Sequence, residues 1–136
     1  MVDFTDDELV GAARQARAHA WAPFSKFAVG AALRLRDGRI VTGCNVENAT
    51  YGLTICAERV AVFKAISEGA RPDEFTAVAV VADTDEPTPP CGACRQILWE
   101  FCGDVPVILA TPAEVKFVLG LRELLPRPFD GRFLGR

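Results

Sequence analysis

No run of this chain approaches the roughly 20 apolar residues that span a bilayer; the longest, Phe75 to Ala82 with Thr76 inside it, falls far short. A membrane partner is therefore not expected. A basic excess is missing too: 15 Lys plus Arg stand against 18 Asp plus Glu, for a net charge of -3, which excludes the electrostatic footprint of a nucleic-acid binder. A small-molecule partner is favoured instead. The opening residues, Met1 to Glu8, are acidic and lack the basic segment and apolar stretch of a secretory signal, so a cytoplasmic protein is expected. Low-complexity tracts, charge blocks and internal repeats are absent. The five cysteines, Cys44, Cys56, Cys91, Cys94 and Cys102, are odd in number, which argues against a disulfide framework and leaves metal binding or catalysis.

What is present suffices for one core. With 136 residues, 50% of them hydrophobic and 24% charged, the chain is expected to form a single domain over residues 1–136. Thr5 and Glu8 have the spacing of a capping box, and Leu9, Ala12, Ala13 and Ala16 follow at helical intervals, predicting a helix over 5–20. Segments 27–35 and 39–46 are rich in strand formers and flank Asp37-Gly38, the signature of a tight hairpin. Ala57, Val60, Ala61, Lys64 and Ala65 predict a helix starting at or beside Cys56 and ending before Gly69. Phe75 to Ala82 reads as a strand covered on both faces. A second helix is expected to start at Cys91 and Cys94, with Ile97, Leu98 and Phe101 on one face. Val105 to Ala110 predicts a strand, 115–119 a strand or a helix, and 121–125 a short helix ended by Pro126. Strands alternating with helices indicate a layered α/β domain. Trp21, Trp99, Cys44 and Cys102 are read as packing residues, and His19 as a surface residue of the first helix.

The cysteine spacing carries the chemistry. Cys91-x-x-Cys94 brings two thiolates from one turn to the same ion, and Cys56 stands before another predicted helix start. Three ligands leave zinc an open position, the habit of catalytic rather than structural sites. Glu58, two residues beyond Cys56, can exchange protons with a water at the metal without ligating it. Cys56-x-Glu58 followed by Pro90-Cys91-x-x-Cys94 is the arrangement of zinc-dependent nucleoside and base deaminases, with Cys replacing the usual first His. Asn45 and Glu47, one residue apart at a strand end, project to the same side and offer an amide and a carboxylate suited to sugar hydroxyls.

Over nearly its whole length the sequence resembles the small cytidine deaminase family. The resemblance is carried by Phe24-Ser-Lys-Phe27-Ala-Val-Gly-Ala-Ala32, Gly43-Cys-Asn45-Val-Glu47-Asn48, Tyr51-Gly-Leu53, Cys56-Ala-Glu58-Arg59, Pro90-Cys-Gly-Ala-Cys-Arg-Gln96 and Leu124-Leu-Pro126. It implies a three-layer α/β/α fold around a mixed five-stranded sheet. It also implies hydrolysis of cytidine and 2′-deoxycytidine to the uridines plus ammonia, in pyrimidine salvage. One Zn2+ per chain is implied on Cys56, Cys91 and Cys94, with Glu58 as proton shuttle and Arg59 bonding the ligand sulfurs. Phe27, Asn45, Glu47 and Ala57 are implied in substrate binding. A homotetramer is implied as well, in which Phe129 reaches a neighbour's bound base. The match departs from the family at Phe24, where such enzymes often have Tyr, at Ala28, where Pro is common, and after Pro126. Two alternatives remain open from sequence: a deaminase of the same superfamily acting on blasticidin S or a free base, and a non-catalytic zinc-binding module, which a fourth ligand would favour.

Overall fold

Eleven residues from Asp7 to Arg17 form α1 in the computed structural model, which describes residues 3–135. Asp6 rather than Thr5 caps this helix, its Oδ1 accepting from the Leu9 N–H at 3.1 Å. Glu8 is drawn out of the expected capping box by Arg34, whose Nη2 lies 2.9 Å from Glu8 and 2.7 Å from Asp6. The charged partner on a neighbouring strand thus outcompetes the local motif. The helix also stops short of residue 20, leaving His19 exposed in the turn that follows.

A hairpin of β1 (Val29–Leu35) and β2 (Ile40–Cys44) follows, turning at Gly38 with φ 95°. Then come α2 (Ala57–Ser67), β3 (Phe75–Ala82), α3 (Gly92–Cys102), β4 (Pro106–Ala110), β5 (Val115–Gly120) and α4 (Leu121–Leu124). The segment open to either reading is the strand β5, paired antiparallel with β4 from Pro106 opposite Gly120 to Ala110 opposite Val115. One mixed sheet results, in the order β2-β1-β3-β4-β5, with only β3 and β4 parallel.

The central strand shows why three layers form. Along β3, Ala77, Ala79 and Val81 face one side, where Leu9, Val10 and Ala13 of α1 cover them. Val78 and Val80 face the other, packed with Ala61, Val62 and Ala65 of α2 and Leu98 of α3, and Phe75 joins that core past the register shift opposite Arg34 and Leu35. The two-residue period of the strand therefore feeds both cores, and the small residues on the α1 side let that helix lie close. Two glycines set the helices on the sheet. A Cβ at Gly30 would collide with the Ala13 carbonyl, and one at Gly43 would lie 2.5 Å from the Ala57 carbonyl and the Ala61 nitrogen. Gly43 consequently seats the first turn of α2 directly on β2.

Trp99 packs as expected, half-buried, with Nε1 donating to Asp130 Oδ2 at 3.0 Å and the Arg122 guanidinium 4.7 Å from its ring centroid. Trp21 does not: it is 62% exposed, because its backbone rather than its ring is engaged, bridging to Val46. Cys102 is buried and Cys44 half-buried. Among the described residues, no helix is long and apolar enough to cross a membrane.

Candidate metal centre and nucleoside pocket

Beyond β2 the chain stays extended. Val46 exchanges backbone hydrogen bonds of 3.0 Å with Ile55, while the Trp21 N–H donates to the Asn45 carbonyl at 2.9 Å. This short pairing carries Asn45 and Glu47 alongside Cys56, the residue that opens α2. Cys91 opens α3 in the same way, and neither cysteine side chain makes a capping hydrogen bond, so neither sulfur is taken up by its helix N-terminus. Cys94 lies in the first turn of α3 and is fully buried.

The three sulfurs lie within 4.8 Å of one another, with Cys56 and Cys91 Sγ 4.0 Å apart. Tetrahedral zinc with bonds of about 2.3 Å separates its sulfurs by about 3.8 Å, so the donor set fits the ion in both chemistry and spacing. Arg59 adds a second fit. Its Nη2 donates to Cys56 Sγ at 3.2 Å, and its Nε is buried without a partner, placing positive charge where thiolates would collect negative charge. The Cys56 thiol is held well below the ordinary thiol range, chiefly by its hydrogen bond with Cys94 and next by Arg59. Cys94 is correspondingly held up by Cys56 and by burial. No fourth Cys, His, Asp or Glu joins the cluster among the described residues.

Glu58 is 4% exposed. Burial, and then the neighbouring Cys56 charge, push its carboxyl up to about 7, so near neutrality it can both take and give a proton. It lines a pocket of about 210 Å³ together with Cys56, Cys91, Phe27, Asn45, Glu47 and Ala57. Val29 of β1 and Val80 of β3 supply apolar walls, and Ser25, Thr54, Thr88 and Pro89 complete the surround. Asn45 is buried and clamps the start of β1, accepting from the Val29 N–H at 2.9 Å and donating to the Phe27 carbonyl at 2.7 Å. Glu47 accepts from the backbone N–H groups of Phe24 at 2.9 Å and Ser25 at 3.1 Å, and from the Ser25 hydroxyl. The Ser25 hydroxyl foremost, then those amides, hold its carboxyl below the usual range, so Glu47 is an anion at neutral pH.

The structure therefore brings together nine of the residues singled out from sequence, seven of them lining the pocket and two, Cys94 and Arg59, lying behind its surface against Cys56. Phe129 is not among them: it is 55% exposed and stacks on Phe133, ring centroids 5.6 Å apart, in its own chain. Sequence reasoning passed over Thr88, named Ser25 without a role, and left Arg95 without one because it could equally pair with an acidic residue such as Glu100. Arg95 bonds the Pro90 and Leu124 carbonyls, each at 2.8 Å, and so ties the cysteine loop to α4. Its place directly after Cys94 was the available signal.

Comparison with known proteins agrees with this geometry. Residues 4–110 match the family described as the cytidine and deoxycytidylate deaminase zinc-binding region. A cytidine deaminase from Sporosarcina psychrophila is 55% identical over 125 residues, 91% of this chain and 90% of its own length. The crystal structure of a cytidine deaminase from Burkholderia pseudomallei superposes with a TM-score of 0.87 at 48% identity, covering 93% of this chain and 100% of its own. A blasticidin-S deaminase from Bacillus cereus is more distant, 33% identical over 109 residues, 75% of this chain and 76% of its own.

Proposed function

The chain belongs to the cytidine and deoxycytidylate deaminase family, and on that premise we propose how its residues carry out the zinc-dependent hydrolysis of cytidine and 2′-deoxycytidine to the corresponding uridines and ammonia. The observation that carries the proposal is the meeting of a buried carboxyl, Glu58, with three converging cysteine sulfurs, two of whose residues line the same pocket.

Cys56, Cys91 and Cys94 hold the ion. Zinc, when bound, supplies a Lewis acid that makes water acidic enough to act as a nucleophile near neutral pH. Arg59 and the two helix N-termini return positive potential to the electron-rich sulfurs. Glu58 takes a proton from the attacking water and delivers it to ring N3, which makes C4 electrophilic. Once the water oxygen is bonded to C4, Glu58 takes the remaining proton of that hydroxyl as the C4 carbonyl forms and passes it to the amino group as the C4–N bond breaks, so that ammonia rather than an amide anion leaves. Its burial supports this double duty, because a carboxyl shifted to about 7 is balanced between its two protonation states.

Phe27 and Ala57 bound the base, while Asn45 and Glu47 hold the sugar hydroxyls. An anionic, triply bonded carboxylate is a strong acceptor for a neutral hydroxyl and a poor neighbour for a phosphate, which supports a nucleoside over a nucleotide. A free base would leave this acceptor without a partner. We assign these functions to one domain, residues 1–136, acting in the cytoplasm in pyrimidine salvage.

A homotetramer completes the reading. Trp21, Tyr51, Phe133 and Leu134 are all more than half exposed, apolar side chains that neighbouring chains would cover. Phe129, exposed on the same tail, would close a neighbour's pocket. Loss of the cytidine ultraviolet absorption on incubation with the zinc-loaded protein tests the central activity. Zinc-loaded protein that leaves cytidine unchanged overturns it.

A further inference from the structure

We propose that Ser25 is a positioning residue for nucleoside binding, acting through Glu47 by fixing which oxygen of that carboxylate is offered to the sugar. The proposal rests on the assignment of Glu47 to the sugar and goes beyond it by naming what aims the carboxylate.

The segment from Phe24 to Phe27 wraps the Glu47 carboxylate. Oε1 receives two backbone donors, the Phe24 N–H at 2.9 Å and the Ser25 N–H at 3.1 Å, so it is largely occupied. Among the described residues Oε2 receives only the Ser25 hydroxyl, and it keeps lone-pair capacity for a further donor. Successive N–H groups converging on one anion form a backbone nest, a preorganised anion seat. Here the anion belongs to the protein, and the seat serves to hold the carboxylate still.

The Ser25 hydroxyl is itself aimed. Its Oγ accepts from the Phe27 N–H at 3.0 Å, closing a two-residue turn that commits one lone pair and leaves the O–H for Glu47. Lys26, between them, adopts φ 61°, a conformation costly for a residue with a side chain. The closed turn and the Lys26 N–H bond to the Ala22 carbonyl at 3.0 Å hold it there. Ser25, Phe27 and Glu47 all line the same pocket, so one hydroxyl joins the aromatic wall to the sugar acceptor. Removing it leaves Glu47 charged and seated on its two amides, but with Oε2 free to swing.

The test compares Ser25→Ala, Ser25→Thr, Glu47→Ala and the double variant Ser25→Ala/Glu47→Ala, each with zinc content and thermal midpoint measured. Ser25→Ala should raise the cytidine KM about tenfold, the scale of one hydrogen bond to a charged group, with kcat within about twofold and zinc retained. Ser25→Thr, which restores the hydroxyl on an exposed residue, should bring KM back to within about threefold of the parent. In the Glu47→Ala background the Ser25→Ala change should add nothing further to KM. A Ser25→Ala KM equal to the parent's, a threonine variant no better than alanine, or full additivity with Glu47→Ala overturns the positioning role while leaving Glu47 as the sugar acceptor. An unchanged KM in Glu47→Ala instead overturns the sugar assignment itself, and the proposal with it.

Discussion

Arg59 Nη2 lies 3.2 Å from Cys56 Sγ, one turn along the helix that Cys56 itself opens. A three-thiolate site carries a formal charge of -1 with zinc, and this arginine is the nearest group able to draw that excess away. Arg59→Ala should therefore bind zinc, but with affinity or turnover reduced about 10- to 100-fold. Chelator competition measures the first and initial rates the second; parental values in both would reduce Arg59 to a helix residue.

Glu58→Gln should keep zinc and fold while losing turnover by about 10²- to 10⁴-fold. The amide fills the same buried space but cannot move a proton. Binding of cytidine, measured by calorimetry on the zinc-loaded variant, should persist. Near-parental turnover would contradict the shuttle assignment.

Elemental analysis distinguishes the ligand cysteines from the packing ones. Cys91→Ala should lose most of the zinc, whereas Cys102→Ala should retain one ion per chain. Burial alone raises the Cys102 thiol, to about 12, and no metal-binding group gathers around it among the described residues. Full retention in Cys91→Ala would contradict the three-cysteine set.

Phe129→Ala should lower activity while the assembly survives in light scattering. Mixing it with Glu58→Gln protein should restore partial activity, because a hybrid can pair an intact Glu58 with a neighbour's Phe129. A parent protein that scatters as a single 14.7 kDa chain with full activity would exclude borrowing between chains.

Asp6→Asn separates charge from capping, since asparagine also caps helices well. Arg34 first, and the Leu9 N–H next, hold the Asp6 carboxyl below its ordinary value of 3.8. A lowered folded-state value stabilises the fold above the unfolded value, and the contribution disappears as pH falls through the folded one. The parent should accordingly be more stable than Asp6→Asn at pH 7, with the difference vanishing well below pH 3.8. Urea midpoints at the two pH values check this; a constant difference would mean that the ion pair is not its source.

The elements that carry the chemistry were legible because their signals are local. Cys56 and Cys91 stand at the two helix starts where spacing put them, and the apolar run Phe75 to Ala82 is β3 without a shift of either end. Where sequence misled, a distant partner intervened. Thr5 lost the α1 cap to Asp6, favoured by Arg34 28 residues away. Trp21 stays exposed because its backbone bridges to Val46, a pairing that side-chain type does not foretell. Ser25 was legible only as part of the stretch Phe24 to Ala32 and received no role of its own, because its partner Glu47 stands 22 residues on.

Cys56 and Cys91 lie 35 residues apart, on either side of β3 in the chain, so a bound ion fastens the two ends of a loop containing α2 and β3. In an unfolded chain that closure costs entropy, and five thiols compete for the ion. Only when β3 lies between β1 and β4 do the starts of α2 and α3 face each other. A bound ion would thus tie the starts of α2 and α3 together across the folded sheet and favour the folded chain over the unfolded one.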